Sequence, residues 1–267
     1  MSTPRPIGIV GVGELGTVVA NALRGDGRQA IGYDPSPAAV ERMAELGVEA
    51  AESPAALGAA CDLVIVTVAT ADQSTATIAG PDGVFATMTE GTVVLHATID
   101  PATSLAIAKE RPGGVTFVDA PVSVRRSDPP TFTAFLGTEA PLDPELRAVL
   151  LTYCHEVAEV GTVGAGQVAK IANNVMSLAN TAILAEAFRL AAAYDISTDR
   201  MRELAALGSG NSHALSTWPT RASLYTEPGD SRRRALARKD LVAALALAEQ
   251  AGFTLPVTAA ALGELRG

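Results

Sequence analysis

The chain carries little that could staple it or bind a metal. Its 267 residues include two cysteines and three histidines. Cys61 and Cys154 are too few for a disulfide framework, and they form no CxxC pair. Buried thiols are expected at both positions. The histidines are scattered, so no metal site is expected. Basic residues are also in deficit, at 20 Lys and Arg against 29 Asp and Glu, for a net charge of −9. That balance argues against general nucleic-acid binding. The N-terminus has no basic segment leading into an apolar run and a cleavage site. A cytoplasmic location is the expectation. No internal repeat is evident.

What is present is an apolar, patterned chain, 48% hydrophobic and 18% charged, long enough to bury a sizeable core. In its first half, short apolar runs alternate with helical patterns. Strands are predicted at 7–12, 30–33, 63–68, 92–95 and 115–118, with helices at 13–24 and 37–46. The run 63–68 (LVIVTV) is short and β-branched, as suits a buried parallel strand. Late strands are expected at the sheet edge, at 131–136 and 156–160. Alternation of this kind predicts an α/β fold, a Rossmann doubly wound and mainly parallel sheet. After Gly166 the strand signals stop. An all-α C-terminal domain follows, with helices predicted at 165–194, 198–207, 234–251 and 257–265. The expected domains are residues 1–162, the α/β part, and residues 163–267, the all-helical part.

Gly11-Val12-Gly13-Glu14-Leu15-Gly16 fits G-x-G-x-x-G between the first strand and the first helix. Gly11 permits a tight turn, Gly13 lets a pyrophosphate approach the backbone, and Gly16 lets helix and strand pack closely. The helix N-terminus then faces the phosphates. Asp34 ends the second strand, where a carboxylate can accept ribose hydroxyls and repel a 2′-phosphate. NAD is the preferred cofactor on this ground, and NADP is not excluded. A turn-forming aspartate is the alternative. Further on, 161–174 reads GTVGAGQVAKIANN, a glycine-rich turn entering a helix. Lys170 and Asn174 are four residues apart and share a helical face, which Asn173 flanks. Ser177 and Thr181 extend the polar stripe. A cation and amides on an apolar helix suit a site that moves a proton at a held oxygen, although a hydrated groove would look the same. The same polar residues, with Glu186 and Arg189, speak against a membrane span.

Four ordered segments, IGIVGVGELGTVVANAL, FVDAPVS at 117–123, GTVGAGQVAKIANN and KDL at 239–241, resemble the β-hydroxyacid dehydrogenase family. The likeness covers nearly the whole chain. It implies an NAD(P)-dependent oxidoreductase that passes hydride between a nicotinamide and a small β-hydroxy acid or its semialdehyde. By resemblance, Lys170 is the acid–base group and Asn174 orients the substrate oxygen. A lysine can serve as a base when desolvated near a cationic ring. Asn173 joins the substrate set, as does Ser123 as the carboxylate-holding serine. Val68, Ala69, Thr98 and Lys239 join the fingerprint residues at the cofactor. A homodimer or higher homo-oligomer formed through the helical half is implied, with a small anionic substrate as partner.

The chain departs from its relatives in two places. They continue Ser-Gly-Gly where this chain reads Ser123-Val124-Arg125-Arg126. Val124 resists positive φ and fills space, and Arg125 and Arg126 either clamp an anion or lie on the surface. A substrate larger or more anionic than 3-hydroxyisobutyrate is therefore expected. At His96-Ala97-Thr98 a family hydroxyl is lost at Ala97, and His96 reads as a core residue. NADP-preferring relatives commonly carry Asn-Arg where this chain has Asp34-Pro35. Two other functions stay open: imine reduction, against which Lys170 speaks, and a non-catalytic dinucleotide-binding protein.

Overall fold

The computed structural model describes residues 5–125, 131–222, 224 and 231–265. The chain divides into two compact units, 1–170 and 171–267, with the boundary inside one long helix. In the first unit, β1 (Ile7–Val10), β2 (Ala30–Tyr33), β3 (Glu49–Ala50), β4 (Leu63–Val66), β5 (Glu90–Leu95) and β6 (Gly114–Asp119) are parallel neighbours. Three further strands, β7 (Val122–Arg125), β8 (Thr131–Gly137) and β9 (Cys154–Gly161), complete one sheet. The order is β3-β2-β1-β4-β5-β6-β8-β7, with β9 beside β8. Helices α1 (Glu14–Gly25), α2 (Pro37–Glu45), α3 (Pro54–Ala60), α4 (Ala71–Ala79), α5 (Pro101–Lys109) and α6 (Pro144–Leu151) connect the strands. The doubly wound sheet is the one the strand–helix alternation predicts.

Side chains alternate across each strand and so feed two cores. Ile9, Ile65 and Val94 pack with Val19 and Leu23 of α1 and Met43 of α2. Val10, Val64, Val66, Val93 and Leu95 pack on the other face with Leu57 of α3, Ile78 of α4 and Ile107 of α5. Burial on both faces explains why LVIV reads as a continuous apolar run. Each fully buried branched side chain contributes about 1.5–3 kcal/mol.

Several sequence expectations need correction. β8 is interior, because β9 covers one side while β6 and β7 share the other. β7 was not anticipated: the polar Ser123 and the arginines hid it, although Val122 and Val124 have the alternation of a strand. The two-residue β3 is too short for a periodic signal.

The second unit is helical. α7 (Ala165–Ala192) starts in the first unit and enters this one. Helices Thr198–Leu207, His213–Ser216, Trp218–Arg221, Ser231–Gln250 and Pro256–Glu264 follow. The two four-residue helices escaped the sequence pattern because one turn shows no period. Leu178 and Ala182 of α7 pack with Leu224, Ala237, Leu241 and Leu262. Phe188 meets Trp218 edge-on, with ring centroids 4.7 Å apart. α7 is long and apolar enough to cross a membrane by length and composition alone. Asn174, Ser177 and Arg189 on it, however, bond Asp240, Arg221 and Glu264 of other helices, as polar groups of a core helix do.

His96, just past β5, is buried and doubly bonded. Nδ1 lies 2.6 Å from the Ala120 carbonyl and Nε2 lies 2.8 Å from the Tyr153 hydroxyl. A carbonyl only accepts, so Nδ1 carries the proton and Nε2 accepts from Tyr153. Burial lowers the His96 pKa to about 4, opposed by the bond to Ala120. The folded chain therefore keeps His96 neutral while the unfolded chain takes up a proton below pH 6.5. This contribution to stability is complete above pH 6.5 and is lost as pH falls toward 4. His96→Gln should be less stable than the native chain at pH 7.5. The gap should narrow on acidification by up to about 3 kcal/mol, measured by denaturant unfolding at both pH values.

Candidate active site

The strand order reverses between β1 and β4, and doubly wound sheets bind ligands at such a point, beyond the strands' C-terminal ends. Gly11 leaves β1 with φ +86°, a conformation that disfavours any side chain. The Thr67 hydroxyl, just past β4, donates to the Gly11 carbonyl at 2.5 Å. Thr67 thereby ties the fingerprint turn to the segment carrying half-buried Val68 and exposed Ala69. A Cβ at Gly16 would collide with the Gly11 carbonyl oxygen, so this glycine is required by packing. A Cβ at Gly13 would meet nothing within 4 Å. The protein does not need a glycine there, which fits a position kept bare for a pyrophosphate. Glu14 is exposed, Leu15 half-buried and Val12 buried.

Asp34 faces this turn. Its Oδ2 accepts from the Val12 N–H at 2.8 Å, and its Oδ1 accepts from the Ser36 N–H at 3.0 Å. The turn-forming and ribose-facing roles are compatible, because each oxygen keeps a second lone pair. The same Val12 is gripped from its other end, where Arg42 Nη1 of α2 donates to the Val12 carbonyl at 2.6 Å. Arg42 was missed in the sequence. Its available signal was its position on α2 beside the inward Ala39 and Met43.

Lys170 is buried, at 9% exposure, and α7 holds it from a clamped first turn. Asp119, at the end of β6, accepts from the Gly164 N–H at 2.9 Å and the Gln167 N–H at 3.0 Å. These are donors that a helix N-terminus leaves unpaired. Burial pushes the Asp119 pKa up to about 6, and the amide bonds pull against it. Side chains at Gly137 and Gly166 would collide with the carboxyl group, so both positions need glycine. Gln167 is fully buried. Its Oε1 accepts from the Ile99 N–H at 3.0 Å, and its Nε2 donates to the Ala97 carbonyl at 3.1 Å. Gln167 thus spans the segment holding half-buried Thr98. The sequence showed the Asp119 motif without indicating the cap.

In the second unit, Asn174 Nδ2 donates to Asp240 Oδ2 at 2.7 Å. A carboxylate only accepts, so this bond fixes the amide orientation, leaving the Asn174 oxygen directed elsewhere. Asn173 Nδ2 approaches that oxygen at 3.4 Å. Lys239 Nζ lies 3.3 Å from Asp240 Oδ1, a charge contact without hydrogen-bond geometry. Farther along α7, Arg221 Nη1 donates to the Ser177 hydroxyl at 2.8 Å. The polar stripe is thus built into the helical unit rather than being a hydrated groove alone.

Ser123 and Val124 lie on β7, paired with Thr133 and Phe132 of β8. Ser123 is half-buried and Val124 is 51% exposed. Extended pairing is the conformation a β-branched residue prefers where relatives carry glycine. The Arg125 side chain and Arg126 lie outside the described residues. Cys61 and Cys154 are buried thiols. Among the described residues, no three His, Cys, Asp or Glu side chains cluster to hold a metal ion.

The two fingerprint glycines separate stability from binding. Gly16→Ala should destabilise the chain by about 1–3 kcal/mol or more through overpacking. Gly13→Ala should leave thermal unfolding of the free protein within about 0.5 kcal/mol. It should nevertheless weaken dinucleotide binding by about tenfold or more, measured by calorimetry.

Residues 6–161 match the family model described as the NAD binding domain of 6-phosphogluconate dehydrogenase. Residues 164–265 match the model described as NAD-binding of NADP-dependent 3-hydroxyisobutyrate dehydrogenase. The 2-(hydroxymethyl)glutarate dehydrogenase of Eubacterium barkeri is 29% identical over 96% of this chain and 86% of its own length. The L-threonate dehydrogenase of Cupriavidus necator is 30% identical over 78% of this chain and 72% of its own. The solved 3-hydroxyisobutyrate dehydrogenase of Mycobacterium tuberculosis, with L-serine, has a TM-score of 0.80 at 26% identity. That match covers 98% of this chain and 92% of the other. The fingerprint turn with Asp34 bonded to it and the Asp119-capped helix that carries Lys170 thus lie within the matches to the two family models, and the chain belongs to the β-hydroxyacid dehydrogenases, NAD(P)-dependent oxidoreductases acting on CH–OH groups.

Proposed function

We propose that the protein interconverts a β-hydroxy acid and its semialdehyde, with Lys170 moving the hydroxyl proton and NAD as the preferred cofactor. The observation that carries this proposal is the buried Lys170 one turn ahead of Asn174, whose amide orientation Asp240 fixes. The bound nicotinamide supplies the hydride acceptor or donor. Lys170 takes the hydroxyl proton in oxidation and returns it to the oxygen in reduction. Asn174 orients that oxygen, Asn173 supports it, and Ser123 holds the substrate carboxylate. Lys170→Ala should lower turnover by on the order of 10² or more, while calorimetry finds cofactor affinity little changed. Near-normal turnover would remove Lys170 from proton transfer.

The NAD preference is supported by Asp34, held against the fingerprint turn by Val12 and Ser36. The substrate is proposed to be larger or more anionic than 3-hydroxyisobutyrate. Val124 in place of the family glycine supports this, as do relatives named for 2-(hydroxymethyl)glutarate, a dicarboxylic acid, and for L-threonate. In a panel of hydroxy acids, kcat/KM should be higher for dicarboxylic or polyhydroxy acids than for 3-hydroxyisobutyrate. The reverse order would show that the valine does not restrict the small acid.

Self-association is proposed through the helical unit. Met176, Ile183 and Leu190 recur every seven residues on α7 and are 61%, 52% and 65% exposed. That spacing is the seam of paired helices, and a contiguous apolar strip of this kind marks an interface. Sedimentation at micromolar concentration should give a dimer or larger, and Ile183→Glu should shift the chain toward monomer.

A further inference from the structure

Asp34 supports the NAD preference proposed above, but it is not the only charge at the fingerprint turn. Arg42 reaches the turn from the second turn of α2 and bonds the carbonyl of Val12, the residue whose N–H is bonded to Asp34. Carboxylate and guanidinium therefore stand at opposite ends of one residue. A carboxylate at the end of the second strand is where this fold receives the adenosine ribose, and Arg42 is bonded to the same residue as that carboxylate. The guanidinium has five N–H donors, and the bond to Val12 uses one. Among the described residues Arg42 makes no ion pair and no other hydrogen bond. It is half-buried, so its charge is only partly screened by water. A planar donor set with spare N–H groups suits a phosphate oxygen, and an arginine beside the ribose is how this fold accommodates a 2′-phosphate.

We infer that Arg42 is a specificity-determining residue that gives the 2′-phosphate of NADP(H) a partner and so sets how far Asp34 can discriminate against it. The carboxylate favours the ribose with a free 2′-hydroxyl. The guanidinium offsets repulsion when that position carries phosphate. The outcome is use of NADP alongside NAD rather than its exclusion. The inference rests on the dinucleotide site of the family and is independent of any role for Lys170.

The test uses calorimetry on the full chain with adenosine 2′,5′-bisphosphate against adenosine 5′-diphosphate, and with NADPH against NADH. The native chain should bind both members of each pair. Arg42→Ala should weaken adenosine 2′,5′-bisphosphate and NADPH by about tenfold or more beyond any loss, shared within each pair, that it causes through the Val12 turn. Arg42→Lys, which keeps the charge, should fall between, and it serves as the test if the alanine variant fails to fold. In the native chain, raising salt should weaken adenosine 2′,5′-bisphosphate more than adenosine 5′-diphosphate. Equal losses within each pair would make Arg42 a buttress of the Val12 turn and overturn the inference. Failure of the native chain to bind adenosine 2′,5′-bisphosphate would overturn it as well. A native preference for NADPH over NADH would instead refute the NAD preference drawn from Asp34, leaving the Arg42 comparison standing.

Discussion

The structure of the site depends first on one buried carboxylate. Asp119 ends β6 and accepts the N–H groups of Gly164 and Gln167, so this inner strand of the sheet holds the first turn of α7. Its burial is costly, as the raised pKa shows, and the cost is offset by helix donors that would otherwise lack partners. Gly137 and Gly166 are glycines because this carboxyl group occupies the space a side chain would need. Gln167 adds a second tie, binding both sides of the Thr98 segment. Three residues later the same helix presents Lys170. Lys170 is thus carried on a helix whose start cannot shift without breaking four buried hydrogen bonds.

The fingerprint turn, at the C-terminal end of β1, follows the same logic. Thr67 fixes Gly11, Asp34 fixes the Val12 N–H, and Arg42 fixes the Val12 carbonyl. Gly13 remains bare, with no protein atom close to where a side chain would sit. Pre-paid rigidity around an open position lets a dinucleotide bind without ordering the loop at the moment of binding. Two opposite charges, Asp34 and Arg42, are held at this turn through the N–H and the carbonyl of one residue.

Much of this was legible in the sequence, because it is local. Gly11, Gly13 and Gly16 work through backbone geometry within six residues, and Asp34 follows from where a strand ends. The alternation of apolar runs with helical patterns fixed the sheet, since strands buried on both faces must be apolar throughout. Lys170 and Asn174 stood out because polar groups one turn apart on an apolar helix have no packing explanation. The rest acts through tertiary contacts that spacing does not reveal. Arg42 meets Val12 across 30 residues, and Asn174 meets Asp240 across 66. Gln167 looked like filler between a glycine and a lysine until its amide was seen to bind Ile99 and Ala97. β7 was hidden by the residues that distinguish this chain from its relatives, a serine and arginines on a strand whose hydrophobic positions number only two.

The central claim is that the protein moves a hydride between a CH–OH carbon and a nicotinamide. It is tested most directly by following the hydrogen itself. A dicarboxylic hydroxy acid deuterated at its carbinol carbon would be oxidised with NAD and the reduced cofactor examined by mass spectrometry. The account predicts that the deuterium appears on the nicotinamide of NADH. Turnover of the acid without deuterium in the reduced cofactor would contradict it.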